Sequence, residues 1–287
     1  MPQLPSILSA ISRVLPAGLR AMACAFLMVA PLTAAAPAYA GGLETSNEQA
    51  AGKVSRADLI RLLGRLHEED KVRADLAQLG FKGENLDLAT EHAANMLRDP
   101  VIAGYVADRV LAVQSGAAVP IDRAQGLLWG VIDQGLAYLP LRDLRYYYLV
   151  EQAVLGAMPI HICGQAVRGT LPPRPMADAT ARAAARLNTD GLRNYYRIQL
   201  RAAQLGAQRG AFITTPRRAA KAEASIFAAL TRNIVAEPDA AQIMDSFANL
   251  TIINDTRACR AGKLFISAVL TLEGRELHEA LIQLSLP

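Results

Sequence analysis

The chain has 287 residues, 30 lysines and arginines against 26 acids, and 52% hydrophobic residues. Alanine, leucine and arginine dominate and no apolar run alternates with period two, which argues against a sheet. The expected fold class is all-α, a multi-helix bundle of about ten short to medium helices, possible as two packed helical halves.

Residues 1–40 read as a cleaved secretory signal. They carry Arg13 and Arg20 and no acid, then an apolar run from Ala21 to Ala36, then Ala38-Tyr39-Ala40 before Gly41. An uncleaved anchor is the rival reading, but Pro31 and Pro37 interrupt the run below the roughly 20 apolar residues a span needs. Lipidation at Cys24 is a lesser option, because that cysteine sits early in the run rather than at its end. The chain beyond residue 40 keeps all but two of the 30 bases and all 26 acids, so it carries only +2 and gives no general case for a nucleic-acid partner. It also keeps two cysteines, Cys163 and Cys259. An even number in an oxidising compartment predicts a disulfide, here closing a loop of 96 positions.

Residues 41–53 are small and polar, a flexible lead-in. The first half, 54–170, opens at Ser55 with Asp58 as its capping acid, and Leu59, Leu62, Leu63 and Leu66 share a face. Helices are expected over 70–79, ending at Gly80, then 85–97 and 100–114, the last opened by Pro100. The span 121–139 is the most apolar of all and reads as central. Gly126 and Gly130 within it suggest a close helix approach.

Asp143 to Cys163 reads as a helix with Leu144, Tyr147, Val150 and Val154 on one face and a break at Met158-Pro159. Its opening, Leu144-Arg145-Tyr146-Tyr147-Tyr148, returns 48 residues later as Leu192-Arg193-Asn194-Tyr195-Tyr196. One short match is thin support for a duplication. Thr170 to Pro175, with three prolines, reads as a linker. In the second half, 176–287, helices are expected over 176–187, from the Asn188–Gly191 turn to about 209, over 217–235 and over 238–252. From Cys259 onward a kink or a second helix is expected at Glu273-Gly274, where the apolar phase slips. The two halves are expected to pack as one unit.

Charge is the least random feature. Between Gly164 and Ala222 there are eleven bases and two acids. Arg193, Arg197 and Arg201 recur every four residues opposite an apolar stripe, a ladder suited to an anionic lipid or glycan or to an acidic envelope protein. The alternative is a solvated face paired with the protein's own acids. His161 and Cys163 supply two metal ligands, too few for a site, and no His-Glu-x-x-His, Gly-x-Ser-x-Gly or complete phosphate-binding loop occurs. Asp133 and Glu151 form a candidate carboxylate pair for acid–base work, although a buried Asp133 paired with Arg142 or Arg145 is the favoured, structural reading. No catalytic or metal-ligating residue and no cofactor is assigned. The sequence therefore points to a secreted or periplasmic binding or adaptor protein with a basic surface. A lipid or small-molecule carrier is the second reading and a hydrolase-type enzyme using carboxylates the third.

Overall fold

The computed structural model describes residues 55–65, 70–115 and 124–286. The expected signal segment (1–40) and lead-in (41–53) lie outside the described residues. Within them the chain forms thirteen helices and no strand. In order these are α1 (Arg56–Arg65), α2 (Asp70–Gln78), α3 (Gly83–Arg98), α4 (Pro100–Gln114) and α5 (Ala124–Leu136), then α6 (Leu141–Ala157), α7 (Ile160–Arg168), α8 (Pro173–Ala184) and α9 (Thr189–Arg209). The chain closes with α10 (Pro216–Val235), α11 (Ala240–Ala248), α12 (Asp255–Leu270) and α13 (Gly274–Ser285). The all-α class stands, with the count raised by the two breaks read from the sequence: Pro159 separates α6 from α7, and Gly274, at φ +52°, separates α12 from α13.

Local chemistry sets the helix ends. Ser55 Oγ accepts the Asp58 amide at 3.2 Å and donates to the Asp58 carboxylate at 2.6 Å, a reciprocal cap for α1. Asn188, Thr215 and Asn254 cap α9, α10 and α12 by accepting the amides of Gly191, Arg218 and Arg257. The proline-rich stretch is shorter as a linker than expected. Gly169 ends α7 in the left-handed conformation, and Pro173 already occupies the first turn of α8, where its missing N–H costs nothing.

One hydrophobic core runs from Leu76 to Leu286. Two helix crossings within it close on pairs of glycines. At the α5/α9 crossing, a Cβ on Gly135 would lie 1.7 Å from the Ala202 carbonyl oxygen, and one on Gly206 would lie 1.9 Å from that of Val131. The expected close approach is therefore real but one turn displaced: a Cβ on Gly130 would meet nothing within 4 Å. At the α7/α12 crossing, Gly164 lies against Asp255 and Gly262 against Val167. There Cys163 and Cys259, both buried, stand at disulfide distance, with S–S 2.04 Å. Arg168 at the end of α7 reaches the Ile253 carbonyl and the Asp255 carboxylate, adding a polar clasp to the same crossing. Each crossing joins a helix before Thr170 to one after it. No helix among the described residues is long and apolar enough to cross a membrane.

Candidate functional site

α6 begins where Pro140, extended at φ −65° and ψ 153°, stops the preceding turn, and Asp143 in its first turn complements the helix dipole. Its inner stripe, Leu144, Tyr147, Val150 and Val154, is buried as the spacing predicted. The next side of the helix forms one wall of a groove of about 680 Å³, supplying Leu141, Arg142, Arg145, Tyr146 and Leu149. The opposite wall is the α12–α13 corner. There Thr271 ends α12, its hydroxyl donating to the Ala268 carbonyl at 2.7 Å, and Gly274 turns the chain into α13. That corner contributes Leu270, Thr271, Leu272, Glu273, Gly274 and Leu277. Leu272 and Leu277 are buried and form an apolar floor, while Leu149 stands 42% exposed at the edge. The Tyr146 hydroxyl donates to the Gly191 carbonyl at 2.9 Å, which fixes the ring beside the start of α9.

Charge in the groove is uneven. The Arg142 guanidinium lies 3.5 Å from Asp143, but that carboxylate is held mainly by Arg197, at 2.8 and 3.3 Å. The Arg197 hydrogen bonds hold Asp143 below the usual carboxylate range. Arg145 is exposed and has no carboxylate partner among the described residues. With Glu273 on the facing wall, the groove's own side chains carry one net positive charge. The volume falls within the roughly 300 to 1,000 Å³ typical of small-molecule clefts.

The arginine ladder has a different environment. Arg193 binds Glu84 at 2.7 Å and Asp190 at 2.8 Å, and Arg197 binds Asp143 and the Asn194 side chain. Arg201 is exposed. Two of the three rungs are thus already neutralised within the molecule, and Arg197 connects the ladder to the groove through Asp143.

A second polar cluster lies in the core. Glu151 is 1% exposed and accepts the Tyr195 hydroxyl at 2.9 Å, while its Oε2 has no hydrogen-bond partner. Burial, opposed by the Tyr195 hydrogen bond and reinforced by the charge of Asp133, pushes its pKa up to about 8. Asp133 and Glu151 do influence one another, then, but neither Arg142 nor Arg145 pairs with Asp133. The Tyr147 ring stacks on that of Tyr195 at 5.8 Å. Nearby His92 stacks on Tyr196 at 4.2 Å, and burial lowers its pKa to about 4. Both groups are therefore neutral at pH 7.

Among the described residues no three His, Cys, Asp or Glu side chains group to hold a metal ion. Cys163 is 0% exposed beside Cys259 and His161 points to the surface, so the two are not a shared site. The groove escaped the sequence reading, which considered Arg142 and Arg145 only as partners for Asp133. Half of it was visible: Arg142, Arg145 and Leu149 recur at helical spacing opposite the buried stripe. The facing wall is more than a hundred residues away and no local signal points to it. No family model, curated protein or solved structure matches the chain.

Proposed function

We propose that the protein binds a single-chain anionic amphiphile, apolar tail on the leucines of the α6/α12–α13 groove and head group at Arg145 and Arg142. The observation that carries this reading is Arg145, an arginine without a carboxylate partner at the rim of a leucine-floored groove. One net positive charge suits a monoanionic head group. Arginine presents forked donors that match a carboxylate or phosphate. Of the readings open at the sequence level this is the lipid or small-molecule carrier; an adaptor using the ladder is less favoured because Arg193 and Arg197 already have acidic partners. A catalytic role for Glu151 and Asp133 gains little from a carboxyl only 1% exposed. The signal-like first forty residues and the cysteine pair support a secreted or periplasmic setting for the carrier.

The test is a calorimetric titration with dodecyl phosphate below its micelle concentration, against wild type, Arg145→Glu and Thr271→Trp. Thr271 is exposed on the groove wall, so the indole fills the groove without entering the core. Saturable binding at one site is expected for wild type, at least about tenfold weaker in Arg145→Glu, as loss of a charge-assisted contact implies, and absent in Thr271→Trp. Equal affinity in all three proteins rules the groove out.

A further inference from the structure

We infer that the outer face of α6 is the surface through which the protein meets an anionic lipid bilayer. This rests on the amphiphile reading above and names where the ligand would be taken up. Arg142, Arg145, Leu149, Ala153 and Gly156 are exposed at steps of three or four along α6, and Ile160 continues the line across the Pro159 break.

Two properties set this face apart. From Tyr146 to Ile160 the one charged residue is Glu151, and it points into the core. An outward helix face on a water-soluble surface ordinarily carries charged side chains along its length. Here charge is confined to the Arg142–Arg145 end, while Leu149 at 42% and Ile160 at 56% exposure leave the rest apolar. The face is also open, since a Cβ on Gly156 would meet nothing within 4 Å.

Arginines followed by exposed leucine and isoleucine complement the two depths of a bilayer surface, anionic head groups above and acyl chains just beneath. The same Arg142, Arg145 and Leu149 line the groove, so an amphiphile leaving the bilayer at this face enters the groove directly. Ile160, by contrast, lies outside the groove lining, which allows docking and ligand binding to be separated.

The experiment is co-sedimentation of the protein with phosphatidylcholine vesicles, with and without about 30% phosphatidylglycerol, at about 50 mM salt, where surface charge is weakly screened. Wild type is expected to bind the anionic vesicles at least about tenfold more tightly than the neutral ones, as two basic residues worth roughly fivefold each imply. Ile160→Glu and, independently, Gly156→Glu should abolish vesicle binding yet leave the dodecyl phosphate titration unchanged and lower the thermal midpoint in neither case. Thr271→Trp should do the reverse, losing the ligand and keeping the vesicles, so failure of the groove and failure of the face give different results. Absent vesicle binding, equal binding to neutral vesicles, or unchanged binding in both face variants overturns the inference. So does self-association that Ile160→Glu removes without any vesicle binding, which would assign the face to a second copy of the chain.

Discussion

α6 and α9 open with the same pattern, Leu-Arg-x-Tyr-Tyr, and both bury its leucine and first tyrosine, yet their surroundings diverge at two corresponding places and in how their glycines are used. The arginine of α9, Arg193, is held by Glu84 and Asp190, whereas its counterpart on α6, Arg145, faces a groove with no carboxylate partner. One turn further in, α6 buries a carboxyl, Glu151, where α9 buries an amide, Gln199. The small residues differ as well: Gly206 of α9 is wedged against the α5 backbone, and Gly156 of α6 faces open space. α9 is thus wedged against α5 and neutralised at Arg193 and Arg197, while α6 keeps an open side with Arg145 unpaired among the described residues. A similar sequence pattern has been used once for construction and once for construction plus an exposed, charged edge.

The largest effect expected from breaking this comparison is at the glycines. Gly206→Ala places a methyl 1.9 Å from the Val131 carbonyl, a backbone atom that cannot rotate away. The cost should exceed about 3 kcal/mol, a large share of a typical total of about 5–15 kcal/mol. Gly156→Ala meets nothing and replaces a glycine in the last turn of α6, so it should stabilise by up to about 1 kcal/mol through the lower entropy of the unfolded chain. Urea unfolding of the two variants checks both signs.

The buried polar pair comes next. The Glu151 pKa rises from 4.5 to about 8 on folding, so the unfolded chain loses this proton first and stability falls as pH rises from 4.5 to 8. His92 acts in the other direction. Its pKa falls from 6.5 to about 4, so its contribution is complete above 6.5 and is lost as pH drops toward 4. The two slopes oppose each other between 4.5 and 6.5, giving a plateau there and a decline on either side. Glu151→Gln should raise stability at pH 8 by on the order of 3 kcal/mol and flatten the alkaline decline; with the His92 slope then unopposed, the plateau disappears and stability falls from pH 6.5 downward. Gln199→Glu sets a carboxylate on the Gln199 hydrogen bond to His92, so it should raise the His92 pKa and flatten the acid limb. Thermal melts from pH 4 to 9 in a common buffer series read all three curves.

Much of the construction was legible from the chain alone. Proline at the start of α4, the Ser55–Asp58 cap, the 3.6-residue stripe of α6 and α9 and the Cys163–Cys259 pair are local or arithmetic signals, and each has its place in the fold. What was not legible is whatever depends on contacts between distant segments. Gly135 rather than Gly130 makes the close approach because Gly206 arrives there, and no rule within α5 specifies the partner. Likewise the arginine ladder is regular in sequence, but Glu84 and Asp143, distant from it in the chain, decide which rungs remain available. The groove needed both α6 and the α12–α13 corner.

The smallest expected effects are on stability at the two arginines. Arg193→Ala removes exposed ion pairs and should cost no more than about 1 kcal/mol. Arg145→Ala should change stability by less than about 0.5 kcal/mol, because nothing in the fold depends on its charge. Their consequences for binding should be reversed, and this contrast bears most directly on the central claim that the free side of α6 is a ligand site. Dodecyl phosphate titrated into Arg145→Glu and Arg193→Glu under identical conditions makes the measurement. Affinity at least about tenfold lower in Arg145→Glu, with Arg193→Glu matching wild type, is the predicted result. Equal losses in both variants, or a loss in Arg193→Glu alone, would contradict it.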